Sequence, residues 1–135
     1  MATIEAVYEG DLRCRVTHGR SGAEFITDAP PDNQGQGRSF SPTDLVAAAL
    51  GSCLLTVMGI VAKRHGIDLA GARVQVEKDM VNDPERRIGR LAATIVFPKR
   101  LSQEQQTLLE RTAASCPVHH SLHRSLNVPV QFVYP

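Results

Sequence analysis

The sequence is poor in the features that mark several classes of protein. It has no tryptophan, aromatic residues make up 4% of its 135 residues, and it has three cysteines. The 15 Lys and Arg residues nearly balance the 14 Asp and Glu residues, for a formal net charge of +1. A balanced charge creates no field that gathers nucleic acid or an anionic lipid surface. We therefore expect neither nucleic acid nor a membrane as a partner.

The small and odd number of cysteines argues against a secreted disulfide scaffold. No apolar segment of the secretory type follows Met1, so we expect no signal peptide and a location in the reducing cytoplasm. The most apolar stretch, residues 45–62, carries Ser52 and Thr56. We interpret it as a buried core helix rather than a membrane span.

The pattern of hydrophobic residues, 42% of the chain, predicts a single domain over residues 1–135. Period-two runs between turn residues predict strands, and capped apolar segments predict helices. The predicted strands are residues 3–8, 12–17, 24–27, 73–81, 87–97 and 128–134, and the predicted helices are residues 42–65, 102–114 and 116–126. The order βββ-α-ββ-α(α)-β indicates an α+β, two-layer fold with antiparallel sheets.

The first predicted helix is apolar on nearly every face. Ser41 serves as its N-cap, Pro42 occupies its first position, and Gly66 provides the left-handed cap at its end. A helix without a polar stripe must be surrounded by protein, and one sheet covers only one side of it. We therefore expect a homodimer that buries the other side; the alternative is that the second helix of the same chain covers it.

Cys53 lies in the middle of this helix. Leu50 and Val57 share its face, and such an apolar setting disfavours a thiolate, so a reactive Cys53 needs a cation from elsewhere. The alternative is a structural role, because free cysteine often acts as a small buried hydrophobe.

Cys116 is expected at the first position of a short helix behind a Ser115 cap. The helix N-terminus there favours a thiolate, and His119 lies one turn away as a hydrogen-bond partner. The alternative is again a packing role beside Pro117. Cys14, in a predicted strand near the sheet edge, is interpreted as structural.

A metal site is a further alternative for the segment that follows Cys116. Thiolate and imidazole are zinc ligands, but four ligands along one helix cannot close a tetrahedron. Only a two- or three-ligand site shared across a dimer, using Cys116 and His119, remains open.

Two segments together resemble the OsmC/Ohr family, the osmotically inducible protein C and organic hydroperoxide resistance proteins. They are SPTDLVAAALGSC, ending at Cys53, and ASCPVH, which contains Cys116. The order of elements matches as well, so the resemblance covers nearly the whole chain. It implies an intertwined homodimer that acts as a thiol peroxidase, with Cys53 as the peroxidatic cysteine and Cys116 as the resolving cysteine.

The resemblance also implies the partners of this chemistry. The substrate is a small peroxide, organic more than hydrogen peroxide, and the reductant is a dithiol or a lipoyl-bearing protein. No metal or other cofactor is needed. An arginine from the N-terminal region activates the peroxidatic cysteine in the family, and Arg20 and Arg38 are the candidates here; Arg20 is favoured because it follows the second strand.

The chain departs from the family's peroxidases at Thr43. Those enzymes have a glutamate directly after the helix-opening proline, which orients the arginine. Asp44 lies nine residues before Cys53, about 180° around the helix, so it does not replace that carboxylate. This departure keeps a second hypothesis open: a non-catalytic protein of this fold that binds a small apolar or thiol-reactive ligand at the dimer interface.

Overall fold

The computed structural model describes all residues from Met1 to Pro135. The chain forms two compact units, residues 1–46 and residues 47–135. The predicted order of strands and helices is confirmed. The elements are β1 (Ile4–Gly10), β2 (Arg13–His18), β3 (Glu24–Ile26), α1 (Pro42–Arg64), β4 (Arg73–Val81), β5 (Arg87–Val96), α2 (Gln103–Ala113), α3 (Pro117–Ser121) and β6 (Val130–Val133).

The N-terminal unit contains a three-stranded antiparallel sheet in the order β1-β2-β3. A tight turn joins β1 to β2, with Asp11 and Leu12 both in the left-handed region at φ 52° and 62°. Two consecutive positive φ values are typical of the hairpin turn whose twist matches that of the strands. The apolar side chains of β1 are exposed, including Ile4, Val7 and Tyr8, so this sheet has little core of its own.

The C-terminal unit contains the second sheet, in the order β4-β5-β6. Strands β4 and β5 are antiparallel, as predicted, but β6 pairs with β5 in parallel. The expectation of purely antiparallel sheets was therefore wrong. The reason is the connection between these strands: α2 and α3 carry the chain back to the starting end of the sheet, and a helical crossover of this kind produces parallel neighbours.

The end of the chain is fixed to the sheet by aromatic stacking. The ring of Tyr134 stacks on Phe97 at a centroid distance of 4.6 Å and an interplanar angle of 5°. Burial raises the pKa of Tyr134 to about 12, with a smaller contribution from the nearby carboxylate of Glu110. The stacking thus ties the end of the chain to the buried ring of Phe97.

Helix α1 begins and ends as the sequence predicts. The Ser41 hydroxyl accepts a hydrogen bond from the Asp44 amide at 3.2 Å, and the Asp44 carboxylate accepts one from the Ser41 amide at 2.9 Å. This reciprocal pair caps the helix N-terminus. Gly66 has a φ of +68°, the left-handed conformation of a helix C-terminal cap.

One face of α1 packs against the inner face of β4. At Gly51, an added Cβ would lie 3.0 Å from Val76 Cγ2 and 3.1 Å from Val74 Cγ1, so a side chain at this position would force the two valines to move by a few tenths of an ångström. The buried residues of α1 are Ala47, Leu50, Gly51, Leu54, Met58 and Ala62.

The other face of α1 is not covered within the chain. The helix is long and apolar enough to cross a membrane, with a mean hydropathy of 2.3, yet 33% of that stretch is buried. The single chain thus leaves one face of the helix open, as expected where one sheet covers only one side, and burial of that face by a second copy stays a prediction. The second helix does not cover the opposite face either. Ala48, Ala49, Ser52, Thr56 and Ile60 remain exposed there.

The last two helices differ in how well the sequence predicts them. Helix α2 has the predicted capping box between Ser102 and Gln105. Helix α3 is shorter than predicted, since it ends at Ser121 instead of continuing to Leu126. The chain extends after Ser121 to reach β5, where the Asn127 carbonyl accepts a hydrogen bond from the Leu91 amide at 2.9 Å.

The close approach at Gly51 leads to a prediction about stability. Gly51→Val should lower the free energy of unfolding by about 1–3 kcal/mol, because the added side chain overpacks the contact with Val74 and Val76. Gly59→Val, on the same helix with nothing within 4 Å of its added Cβ, is the matched control. Urea unfolding of both variants measures the difference, and equal losses would contradict the packing argument.

Candidate functional site

Cys53 and Cys116 meet in the C-terminal unit. Cys53 comes from the middle of α1 and Cys116 from the residue that precedes α3, and the two thiols lie close enough for Cys53 to raise the pKa of Cys116. The two residues are far apart in sequence, and the packing of the helices in this unit brings their sulfurs together. Two neighbouring thiols are the arrangement that reversible disulfide chemistry requires.

Cys116 lies in a different position from the one expected. It is itself the N-cap of α3, and its sulfur accepts a hydrogen bond from the His119 amide at 3.4 Å. Ser115 is not the cap, because its hydroxyl donates to the Thr112 carbonyl at 2.6 Å. The His119 contact with Cys116 is therefore made by its backbone rather than its ring.

Burial controls the chemistry of Cys116. Its side chain is 0% exposed, and this burial raises the pKa of the Cys116 thiol. The hydrogen bond and charge of Cys53 raise it further, while the amides of His119 and Val118 lower it. The expectation of a readily formed thiolate at this helix start was therefore wrong. Desolvation outweighs the amides of a helix that is only five residues long.

Cys53 is more accessible than its partner. Its side chain is partly exposed, whereas Leu50, on the same side of the helix, is completely buried. Val57, one turn further on, is half-buried. Cys53 thus lies on the apolar side of the helix that the sequence predicts, and its side chain is partly open to solvent.

The two candidate arginines belong to the N-terminal unit. Arg20 is exposed in the turn that follows β2, and Arg38 is exposed in the loop before α1. The Arg38 amide donates a hydrogen bond to the Asp28 carboxylate at 3.1 Å. That one of these arginines activates Cys53 stays a prediction.

Asp28 is a residue that the sequence analysis missed. Its side chain is buried, and Arg13 Nε lies 3.8 Å from the carboxylate that holds the Arg38 amide. Asp28 thus fixes the loop that carries Arg38. The only signal in the sequence was its position at the start of a proline- and glycine-rich loop, where a buried carboxylate is not expected.

Thr43 and Asp44 lie in the first turn of α1. The Thr43 and Ser41 hydroxyls are 3.2 Å apart, and Asp44 forms the reciprocal cap with Ser41. Both side chains thus contribute to the start of the helix that carries Cys53.

Cys14 lies in β2, opposite Tyr8 of β1. Because β2 is the central strand of its sheet, the expectation of a position near the sheet edge was wrong. The Cys14 amide donates to the Thr27 hydroxyl at 3.2 Å.

The histidines after Cys116 do not form a metal site in this chain. His120 Nε2 lies 3.0 Å from the Ala114 carbonyl, and His123 Nδ1 lies 2.7 Å from the Ser125 hydroxyl. No group of three or more His, Cys, Asp and Glu side chains is arranged to hold a metal ion.

The fold and the paired thiols define a class of α+β proteins in which a long apolar helix holds one cysteine close to a second cysteine. Residues 35–131 match the family model for OsmC-like proteins. The chain belongs to the OsmC-like family. The match spans the boundary between the two units, and the single domain over residues 1–135 stays a prediction.

Solved structures agree with this assignment. A protein from Psychrobacter arcticus, whose name refers to osmotic stress induction and detoxification, shares 44% sequence identity, with 98% of this chain and 96% of that chain covered and a TM-score of 0.92. An organic hydroperoxide resistance protein from Legionella pneumophila has 17% identity, coverage of 98% and 96%, and a TM-score of 0.78.

The organic hydroperoxide resistance protein OhrB of Bacillus subtilis has 19% identity, coverage of 98% and 97%, and a TM-score of 0.72. At such low identities the likeness to the Legionella and Bacillus proteins shows a shared fold. A search of curated protein sequences finds no match.

The buried Cys116 thiol leads to a prediction about pH. Because burial raises the pKa of Cys116, the folded chain keeps this proton at a pH where an unfolded thiol, of pKa about 8.5, has lost it. The corresponding stability is complete below about pH 8.5 and is lost as the pH rises through the higher folded value.

Urea unfolding between about pH 7 and pH 10 measures this effect. The free energy of unfolding should fall more steeply in wild type than in Cys116→Ser. Cys14→Ser is the matched control and should keep the wild-type slope. Identical slopes in wild type and Cys116→Ser would contradict the assigned direction.

Proposed function

We propose that the protein is a thiol-dependent peroxidase that reduces organic peroxides, and hydrogen peroxide less well, through Cys53. The observation that carries this proposal is the proximity of Cys53 to Cys116, together with their different exposure. One of these thiols is accessible and the other is buried within reach of it, which matches the division between a peroxidatic and a resolving cysteine.

The proposed reaction has two steps on the protein. The Cys53 thiolate attacks one peroxide oxygen, the O–O bond breaks, and the alcohol leaves after it takes up a proton. Cys53 is then a sulfenic acid, and Cys116 attacks its sulfur to form a disulfide and release water. A dithiol or a lipoyl-bearing protein returns the pair to two thiols, and no cofactor takes part.

The surroundings of Cys53 support the preference for organic peroxides. Leu50 is completely buried on the same side of the helix, and Val57 is half-buried, so the alkyl part of a peroxide would meet apolar side chains. The names of the Legionella pneumophila and Bacillus subtilis proteins refer to organic hydroperoxide resistance. Within this proposal, Arg20 or Arg38 provides the cation that holds the thiolate and the departing alkoxide.

A homodimer is part of the proposal. The exposed face of α1 carries Ile60 at 49% exposure, and β1 exposes Ile4, Val7 and Tyr8 at 59%, 50% and 64%. Apolar surface of this extent on both units favours a permanent partner, and a second copy is the simplest one. The reducing cytoplasm, where the thiol pair would be regenerated, is the proposed location.

A second candidate function rests on Thr43. This residue has no charge to orient an arginine, and its hydroxyl lies beside that of Ser41. If activation of Cys53 is weak for this reason, the protein binds a small apolar or thiol-reactive ligand at the dimer interface without efficient turnover.

Peroxide consumption tests the two functions. Wild type should consume cumene hydroperoxide when a dithiol is supplied, and Cys53→Ser should consume none, because the nucleophile is lost. Cys116→Ser should react with about one equivalent of peroxide and then stop, since its sulfenic acid is not resolved. Stopped-flow measurement of peroxide loss distinguishes these cases.

Cys14→Ser is the control for this assay and should keep the wild-type rate. A wild-type protein that consumes no peroxide under these conditions would exclude the peroxidase and favour the ligand-binding alternative. In that case a gain of activity in Thr43→Glu would identify the missing carboxylate as the cause.

The oligomeric state is tested by light scattering. We expect about twice the chain mass of 14.7 kDa, because a second copy covers the apolar surfaces of α1 and β1. Ile60→Glu should weaken the dimer by placing a charge in the covered face, and Glu85→Gln, in the exposed turn before β5, is the control. A wild-type monomer at all concentrations would contradict the dimer.

A further inference from the structure

We propose that the reductant attacks the sulfur of Cys53, and not that of Cys116, when the oxidised pair is returned to thiols. This inference deepens the proposed function and rests on it, because it concerns the disulfide that the proposed reaction forms. It assigns the order of events in regeneration and the surface that a reductant must approach.

Access is the first argument. A thiolate that cleaves a disulfide must bring its sulfur against one of the two bonded sulfurs, so access decides which sulfur reacts. The Cys116 side chain is 0% exposed, while Cys53 is partly exposed. In the single chain, an external thiol thus has an approach to Cys53 and none to Cys116.

The backbone around Cys116 keeps it buried. The Cys116 amide donates to the Ala113 carbonyl at 3.2 Å, and the Cys116 carbonyl accepts from the His120 amide at 3.1 Å. The His119 amide donates to the sulfur itself at 3.4 Å. Exposure of this sulfur would require the junction between α2 and α3 to open, with the loss of all three hydrogen bonds.

The pKa of the leaving thiol, in contrast, disfavours attack at Cys53. Attack at Cys53 makes Cys116 the leaving group, and burial raises the pKa of the Cys116 thiol, which slows its departure. For an attacking thiol, the Brønsted coefficient that relates the exchange rate to the thiol pKa is about 0.4–0.5. With a coefficient of the same size for the leaving thiol, each unit by which the pKa of Cys116 is raised slows the cleavage of the disulfide about threefold. The amides of His119 and Val118 reduce this cost.

Access outweighs this effect. A threefold change per pKa unit is small beside the complete exclusion of a nucleophile from a buried sulfur. In the reduced chain the His119 amide also donates to the Cys116 sulfur, and this hydrogen bond favours the departing thiolate.

The steps balance as follows. The first thiolate of the dithiol bonds to Cys53, the Cys53–Cys116 bond breaks, and its electron pair goes to Cys116, which takes up a proton. The second thiolate of the same dithiol then attacks the reductant's own sulfur and releases the Cys53 thiolate. The dithiol leaves as a cyclic disulfide, oxidised by two electrons, and the protein pair is reduced by two electrons.

Trapping of the mixed disulfide tests the inference. The full chain carrying Cys14→Ser is oxidised with diamide, which forms the disulfide without peroxide, and is then exposed to excess glutathione. Acid quenching, alkylation of free thiols and peptide mapping locate the glutathione adduct. We expect at least about tenfold more adduct on Cys53 than on Cys116, and equal or greater labelling of Cys116 would overturn the inference.

Single-cysteine variants provide the second measurement, because Cys116 can expel glutathione before it is trapped. Cys53 alone, in the Cys14→Ser and Cys116→Ser background, should react with N-ethylmaleimide at least about tenfold faster than Cys116 alone, in the Cys14→Ser and Cys53→Ser background. The rates of the same two variants with N-ethylmaleimide in urea, where both are unfolded, correct for the intrinsic reactivity of each thiol. Equal corrected rates in the folded variants would overturn the inference even if no adduct accumulates.

The two proposals fail in distinguishable ways. A glutathione adduct on Cys53 in a protein that consumes no peroxide would exclude the peroxidase and leave the order of attack supported. An adduct on Cys116 in an active peroxidase would exclude only the order of attack. If diamide forms no Cys53–Cys116 disulfide, the resolving role and the inference are both excluded.

Discussion

The close approach of α1 to β4 at Gly51 is the constraint on which the rest of the C-terminal unit depends. A side chain at this position would meet Val74 and Val76 at 3.0–3.1 Å, so the absence of one sets the distance between helix and sheet. With the helix at that distance, Leu50 and Leu54 fill the core, and Cys53 projects from the edge of the packed face toward Cys116. The geometry of the thiol pair thus follows from a packing contact two residues away.

The two sulfurs differ in how far the surrounding chain exposes them to solvent. Cys116 is completely buried and is held by backbone hydrogen bonds at the junction of two helices, whereas Cys53 lies on the flank of a helix whose outer face is open in the single chain. A family resemblance alone assigns roles to the two cysteines. The structure adds a physical difference between them, namely accessibility, and that difference bears on which sulfur meets a reductant.

The order of elements and the caps of α1 and α2 could be predicted from the sequence because these features depend on local signals: period-two alternation, Ser41 with Pro42, and Ser102 with Gln105. The parallel pairing of β6 could not, since it depends on the path of the chain through α2 and α3. The burial of Cys116 and of Asp28 was likewise beyond sequence reasoning. Both are set by packing between segments, and a helix-start pattern at Cys116 pointed to the wrong protonation state because it took no account of desolvation.

The parallel pairing of β6 has a consequence for how the molecule opens. Because Cys116 lies in the crossover between β5 and β6, the segment that carries it is tied to the same sheet at both ends, through the Leu91–Asn127 hydrogen bond and the stacking of Tyr134 on Phe97. Contacts with the sheet at both ends therefore add to the hydrogen bonds of the α2–α3 junction in holding this segment, and we expect the crossover and β6 to open together. The last residues of the chain, remote in sequence from either thiol, thereby help to keep Cys116 buried.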